Sequence, residues 1–462
     1  MTETQIIIQL LDRIDLLEKQ VAILEEKLSR YEHPKNSSNS SIAPSQDLFR
    51  GKRTSSLREK SGKKPGGQPG HKGTTLRFSD TPDRIIEHKS DFCSVCGGDL
   101  TSIESVFAGS RQVIDLPPTV PVISEHRIFS RRCSCGHCQT GSYPAEAHSR
   151  VCYGQNLLGL TAYFHSRQYI PYDRMREMYR EVFGLEISCG SLVEMIRRVA
   201  DKAGDIYEDI RRRISQSPVV GGDETGVCID GKNRWAWTFQ TPRYTFIDVD
   251  VSRGKKVIDK HFQDGFPKSV MVHDCWKPYF KVYAENHQIC TAHLLRELKY
   301  LDQVYGNEWT TQFTQLLKEA LLLKKALTPI DYLSPIEKRK QLEKRLDELL
   351  KCSINEKHGK LLTFQHRMKE YRQYLFQFLY SFEIPPDNNA SERAVRTFKV
   401  KQKVSGLFRS LEGAHAFSVI RSLIDTVIKN GQNVRDGLAL VAAAETEQLL
   451  IFYLKKLHRI LK

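Results

Sequence analysis

The chain has 462 residues, enough for about three domains. Lys and Arg number 70 against 55 Asp and Glu, a formal net charge of +15, so a polyanion is the expected partner and nucleic acid is favoured over a membrane surface. No apolar run reaches the roughly 18 residues that span a bilayer. Charged residues interrupt the N-terminal apolar positions where a signal peptide needs an unbroken core. A cytoplasmic protein is expected, in which the eleven cysteines suit metal binding or free thiols better than a disulfide framework.

At the N-terminus, Ile7, Leu10, Ile14, Leu17, Val21, Leu24, Leu28 and Tyr31 alternate at spacings of three and four. This a/d seam predicts a parallel two-stranded coiled coil over residues 1–33, through which the chain self-associates. A helix packed within its own chain fits the same pattern. Pro34 ends the helix. Residues 34–82 read as a polar and then basic linker, with Lys63 and Lys64 among cations placed to track phosphates. A solvated tether has the same composition.

Residues 83–150 hold Cys93-Ser-Val-Cys96 and Cys133-Ser-Cys135-Gly-His-Cys138. Two thiolate pairs close a tetrahedral structural zinc site, here Cys93, Cys96, Cys135 and Cys138. Cys133 is the alternate partner of Cys135, and His137 is a spare donor. Cys152, Cys189, Cys228, Cys275, Cys290 and Cys352 lack such pairing and are expected in the core.

Residues 151–213 read as helical. Pro171 opens one helix, Gly184 breaks it, and Ser188 starts another with Leu192, Val193, Ile196 and Val199 inward. This is a helix-turn-helix pattern that would present Arg197 and Arg198 to DNA; a plain helical hairpin reads the same way. Residues 214–292 alternate as an α/β segment, with strands at 217–229, 234–241, 244–251, 269–273 and 287–291. A helical stretch, 293–384, follows, then 385–440 with a basic helix, and a C-terminal helix at 441–462.

Three carboxylates stand out in this frame. Asp223 lies in the first strand, Asp274 ends the fourth, and Glu392 lies on the basic helix. Two acids at strand ends and one on a helix can converge on a pair of hard divalent cations, Mg2+ or Mn2+, for phosphodiester chemistry. Each has a plainer reading. Asp223 or its neighbour Glu224 suits a surface ion pair, Asp274 suits a helix cap, and Glu392 three residues after Asn389 suits a capping box. Arg396 and Lys399 recur on the Glu392 face of the helix. Arg393, Lys401 and Lys403 extend the cationic surface.

These pieces together resemble a transposase of the insertion sequence 66 family. The resemblance is carried by the N-terminal zipper, Lys35-Asn-Ser-Ser-Asn-Ser-Ser, Gly66-Gly-Gln-Pro-Gly-His-Lys-Gly, the cysteine pairs, Tyr169-Ile-Pro-Tyr-Asp-Arg, Asp223-Glu-Thr, Ala292-His-Leu-Leu-Arg296 and Asp387-Asn-Asn-Ala-Ser-Glu-Arg-Ala-Val-Arg. It implies a multidomain α/β chain with a ribonuclease-H-like core. In that core an Asp-Asp-Glu triad of Asp223, Asp274 and Glu392 is interrupted by a helical insertion before the Glu. It also implies element ends and target DNA as partners, with accessory proteins of the same element. The compressed second cysteine cluster departs from the pattern. A DNA-binding repressor, a decayed end-binding copy, or a metal-dependent nuclease without strand transfer are the alternatives.

Overall fold

In the computed structural model, which describes residues 3–36, 39, 70, 78–117, 119–334 and 336–443, the alternating segment beginning at Val219 becomes a mixed five-stranded sheet. Its strands are β3 (Val219–Ile229), β4 (Lys232–Gln240), β5 (Thr245–Asp250), β6 (Phe266–His273) and β7 (Ala284–Ile289), in spatial order β5-β4-β3-β6-β7. The β3–β4 and β4–β5 pairs are antiparallel, while β6 runs parallel to both β3 and β7. Helix α6 (Lys255–His261) lies between β5 and β6, and the short α7 (Lys277–Phe280) between β6 and β7.

The chain divides into two units, 52–121 and the remainder. That division falls inside the span 83–150 expected as one zinc module. Lys63 and Lys64 lie outside the described residues, as does 444–462, most of the expected C-terminal helix. In the smaller unit, Phe92 bridges Asp99, and Cys93 N–H donates to the Gly98 carbonyl at 2.8 Å. In the larger unit, β1 (Ser130–Arg132) pairs with β2 (Cys138–Thr140) around the second cysteine turn.

Helix α1 (Glu3–Glu32) is a single long helix whose seam faces solvent along its length, with Leu24 62% exposed. Helices α2 (Gln155–Ala162), α3 (Tyr172–Phe183), α4 (Cys189–Lys202) and α5 (Gly204–Ser215) follow. Pro171 and Gly184 bound α3, and Ser188 caps α4 by accepting from Ser191 N–H. Val193 points outward instead of inward; Met195 takes the buried position. These helices share one core with the Val220, Trp237 and Phe239 face of the sheet, and with α13 (Leu411–Lys429) and α14 (Val434–Ala443).

A second core joins Val272 and Ile289 of the sheet to α8 (Thr291–Tyr305), α9 (Glu308–Ala326), α10 (Glu337–Lys351) and α11 (Gly359–Glu370). The stretch before Glu392 is therefore helical, as expected. Of the unpaired cysteines, Cys290 is fully buried and Cys352 is exposed, the latter against expectation.

The exposed edge of β5 is covered by α13. Ile247 N–H donates to Ser422 Oγ at 2.8 Å, and Thr245 N–H donates to Thr426 Oγ1 at 3.2 Å. Two hydroxyls four residues apart on a helix thus satisfy two alternate N–H groups of an edge strand, which would otherwise invite another strand. The same seam holds Asp248, which is 4% exposed and receives His415 Nδ1 at 2.8 Å and His261 Nε2 at 3.0 Å. Burial favours its neutral acid, but the two imidazoles outweigh that and hold it well below the usual carboxylate range. The bond to Asp248 in turn raises His415.

A raised imidazole contributes its stability below the unfolded histidine value, near 6.5, and loses it as pH rises through the folded value. His415→Gln should therefore lower the unfolding free energy more at about pH 5.5 than at about pH 8.5, by up to about 1 kcal/mol because the ring is half exposed. Denaturant melts at both pH values measure this; an equal loss at both contradicts it.

Candidate active site

Helix α12 (Asn389–Ser405) crosses directly over the start of β3. It gets that close because β3 carries Gly221. A Cβ on Gly221 would stand 2.6 Å from Ser391 Oγ, 2.7 Å from Asn388 Oδ1 and 2.7 Å from Gln240 Nε2. One on Gly222, on the opposite face, would meet Met271 and Tyr279 at 3.0 and 3.2 Å. Asn388 Nδ2 donates to the Gly222 carbonyl at 2.6 Å and its Oδ1 accepts from Ser391 Oγ at 2.6 Å. The helix start is thereby fixed to the strand backbone one residue before Asp223.

Asp223, Asp274 and Glu392 come together at this crossing. Burial pushes the Asp223 carboxyl well above its usual range, and Glu224, Asp274 and Glu392 push it further. Asp274 is raised by burial and then by Glu224, with His293 opposing. Asp223 thus feels three neighbouring acids, and a carboxyl raised by both burial and like charge favours its neutral form. One Asp274 oxygen accepts from Trp276 N–H at 2.8 Å, a turn that precedes α7; Trp276 is the N-cap residue and no side chain caps that helix, so the capping reading of Asp274 is not met. The capping-box reading of Glu392 fails. Its carboxylate turns to Arg296 at 3.0 Å, His293 at 3.6 Å and Arg396 at 3.2 Å.

Glu224 projects to the other face of β3. It is 2% exposed, accepts from Tyr279 Oη at 2.6 Å, and pairs with Arg253 at 2.8 Å. Arg253 is itself held over the rings of Trp235 and Trp276, at 4.6 and 4.8 Å. Glu224 is thus a buried brace rather than a surface pair. Arg253, Trp235, Trp276 and Tyr279 were not legible as site residues, because they come from three elements with no shared spacing. Cys290, His293 and Arg296 carried a signal, since steps of three on one helix place them on one face.

Residues 150–416, more than half of the chain, match the Transposase IS66 family. The chain belongs to that family. Residues 1–77 match a family of unknown function (DUF6444). No curated protein matches the chain.

The cations expected to meet DNA in this IS66-family chain separate into three kinds. Arg393, Arg396 and Lys403 are exposed on α12. Lys401 is not: it is 6% exposed beneath the Tyr172 ring, and burial pushes its ammonium down to about 8. Lys399 is half-buried and donates to the Gly226 carbonyl of β3. Lys399 is taken up by the sheet and Lys401 by the packing of α12 against Tyr172 of α3, so neither is a surface contact. Arg197 is exposed but clamped by Glu194 and Asp201, each at 2.6 Å on its own helix. Arg198 is half-buried.

The cysteine turns are alike in form. Cys93 N–H donates to Gly98 O and Gly97 takes φ +72°; Cys133 N–H donates to His137 O and Gly136 takes φ +90°. Backbone N–H groups, from Cys96 in one and Cys135 in the other, lower the leading thiol in each. The second turn is thus built on Cys133 and Cys135, the pair read as the alternate. Cys138 begins β2 opposite Arg132.

The close approach of α12 gives a direct test. Gly221→Ala should cost about 2 kcal/mol of stability, the usual penalty for overpacking. Gly226→Ala on the same strand, whose Cβ meets only Asn233 Oδ1 at 3.4 Å, should cost far less. Equal denaturation midpoints for the two variants contradict the packing account.

Proposed function

We propose that the chain is a DNA transposase. It cuts the ends of an insertion sequence and joins them to target DNA by metal-dependent phosphoryl transfer. The observation that carries this is the convergence of Asp223, Asp274 and Glu392 from two strands and a helix into one acidic cluster. The donor set is all oxygen and partly buried, which fits hard divalent cations such as Mg2+ or Mn2+. The sheet order β5-β4-β3-β6-β7, with three antiparallel strands and two parallel ones, supports a ribonuclease-H-like core, and α9–α11 supply its helical insertion.

When bound, the cations would activate the attacking oxygen and stabilise the leaving one. The chain's own residues position the reaction. Asp223 and Asp274 are fixed by the sheet, and Glu392 is fixed by the seat of α12 on Gly221 and the Asn388 bond to the Gly222 carbonyl. Arg396 can leave Glu392, because it is largely exposed, and with Arg393 and Lys403 it contacts phosphates along the outer face of α12. Water attacks the phosphodiester at the element end and frees a 3′-hydroxyl. That hydroxyl then attacks target DNA in an in-line displacement, so no protein–DNA ester forms.

Zinc is proposed to close the cysteine turns. The proposed ligands are those the cysteine spacing implies, Cys93, Cys96, Cys135 and Cys138, with Cys133 as the alternate. Two copies are proposed to pair along the α1 seam, and small accessory proteins of the same element are proposed as partners, as the resemblance implies.

Asp223→Asn, Asp274→Asn and Glu392→Gln should each abolish cleavage and strand transfer on end-containing DNA with Mg2+, while binding at fixed salt is retained. Glu224→Gln should lose less. Near-wild-type cleavage by any of the three refutes the triad. Deleting residues 1–32 should lower the mass seen in sedimentation; an unchanged mass removes the zipper. Purified protein should carry about one zinc per chain, lost in Cys93→Ser with Cys96→Ser, and a folded wild type without zinc refutes that site.

A further inference from the structure

Cys290 sits at the N-terminus of α8, fully buried, and its sulfur accepts the Asn388 N–H at 3.2 Å. His293 lies three residues on, on the same helix face, and its Nδ1 is buried with no hydrogen-bond partner. Glu392 approaches from α12. One ligand atom from each of the three lies within 4.8 Å of the others. The hard-cation chemistry proposed above uses neither the sulfur nor the imidazole.

We propose that Cys290, His293 and Glu392 form a binding site for a thiophilic divalent cation of the Zn2+ class, and that filling it withdraws Glu392 from the hard-cation site. A thiolate, an imidazole and a carboxylate are the borderline-soft donor set that Zn2+ takes, and three protein ligands leave a fourth position open. Their summed charge of minus two balances the ion. The N–H from Asn388 is the contact a metal-bound thiolate needs on its far side. On binding, the Cys290 S–H bond breaks, its proton goes to solvent, and the S–metal bond forms. Arg296 and Arg396, which hold Glu392 at 3.0 and 3.2 Å, are the groups the ion displaces. Arg396 is more than half exposed and can swing into solvent.

The binding half stands on these three residues alone; the effect on cleavage rests on the reading of Glu392 as a ligand of the hard-cation site. The test uses the full chain with its resident zinc measured. Added Co2+ should bind as one further ion per chain and give a thiolate-to-cobalt absorption band. The band should be lost in Cys290→Ser, and binding should weaken by about 10-fold or more in His293→Asn. Two variants keep the test open should one fail to fold. In parallel, Zn2+ should inhibit Mg2+-dependent cleavage, with each variant normalised to its own zinc-free rate and Cys290→Ser about 10-fold less sensitive. No further ion, or one bound equally by wild type and both folded variants, overturns the site. A further ion bound without loss of cleavage overturns the regulatory half and counts against Glu392 as a shared ligand, leaving the site itself standing.

Discussion

The seat of α12 on the bare backbone of Gly221, with Asn388 bonded to the Gly222 carbonyl, is the constraint on which the rest of the site depends. A helix packed on a strand through ordinary side chains stands roughly 10 Å away. Here Gly221 and the Asn388–Gly222 hydrogen bond remove that spacing. The acid on the helix can then share a field with acids on the sheet. The inner cations of α12 are taken up by its neighbours: Lys399 is spent on the Gly226 carbonyl and Lys401 lies under Tyr172. Only the outer face of the helix is left to meet a polyanion.

Positive charge around the acids is arranged unevenly. Glu392 has three cationic or ionisable neighbours, and Glu224 has Arg253 in an aromatic clamp. Asp223 is raised first by burial and then by its acidic neighbours Glu224, Asp274 and Glu392. A carboxylate in that position is stabilised by an incoming divalent cation more than by any side chain present. That asymmetry is the physical content of the proposed site, and it separates the cluster from a structural ion-pair network, in which each acid would be lowered by its partner, as Asp248 is by His261 and His415.

Much of this was legible in the sequence. The α/β reading of residues 214–292 placed all five strands of the sheet within a few residues, and Pro171, Gly184 and Ser188 marked the boundaries of α3 and α4. The three acids were picked out because strand ends and a basic helix are where metal-ligating carboxylates sit. What spacing could not show was depth. Arg396, Lys399 and Lys401 all recur on one helix, but which of them reaches solvent depends on what packs against each. Nor could Glu392 be separated from a capping residue, since the spacing from Asn389 is the same in both cases and only the side chain's direction decides. The second cysteine turn was ambiguous for a related reason: the positive φ at Gly136, which builds the turn on Cys133 and Cys135, is a backbone property that the Cys-x-x-Cys count ignores.

The most direct test of the account is whether residues from β3, the end of β6 and α12 surround one cation site. Fe2+ substituted into the full chain, with ascorbate and peroxide, generates hydroxyl radicals that cut the backbone nearest the bound ion. The account predicts cuts near Asp223, Asp274 and Glu392 in the same sample, all suppressed together by Mg2+. Cuts at one of these segments without the other two, or cuts that Mg2+ does not suppress, would contradict it.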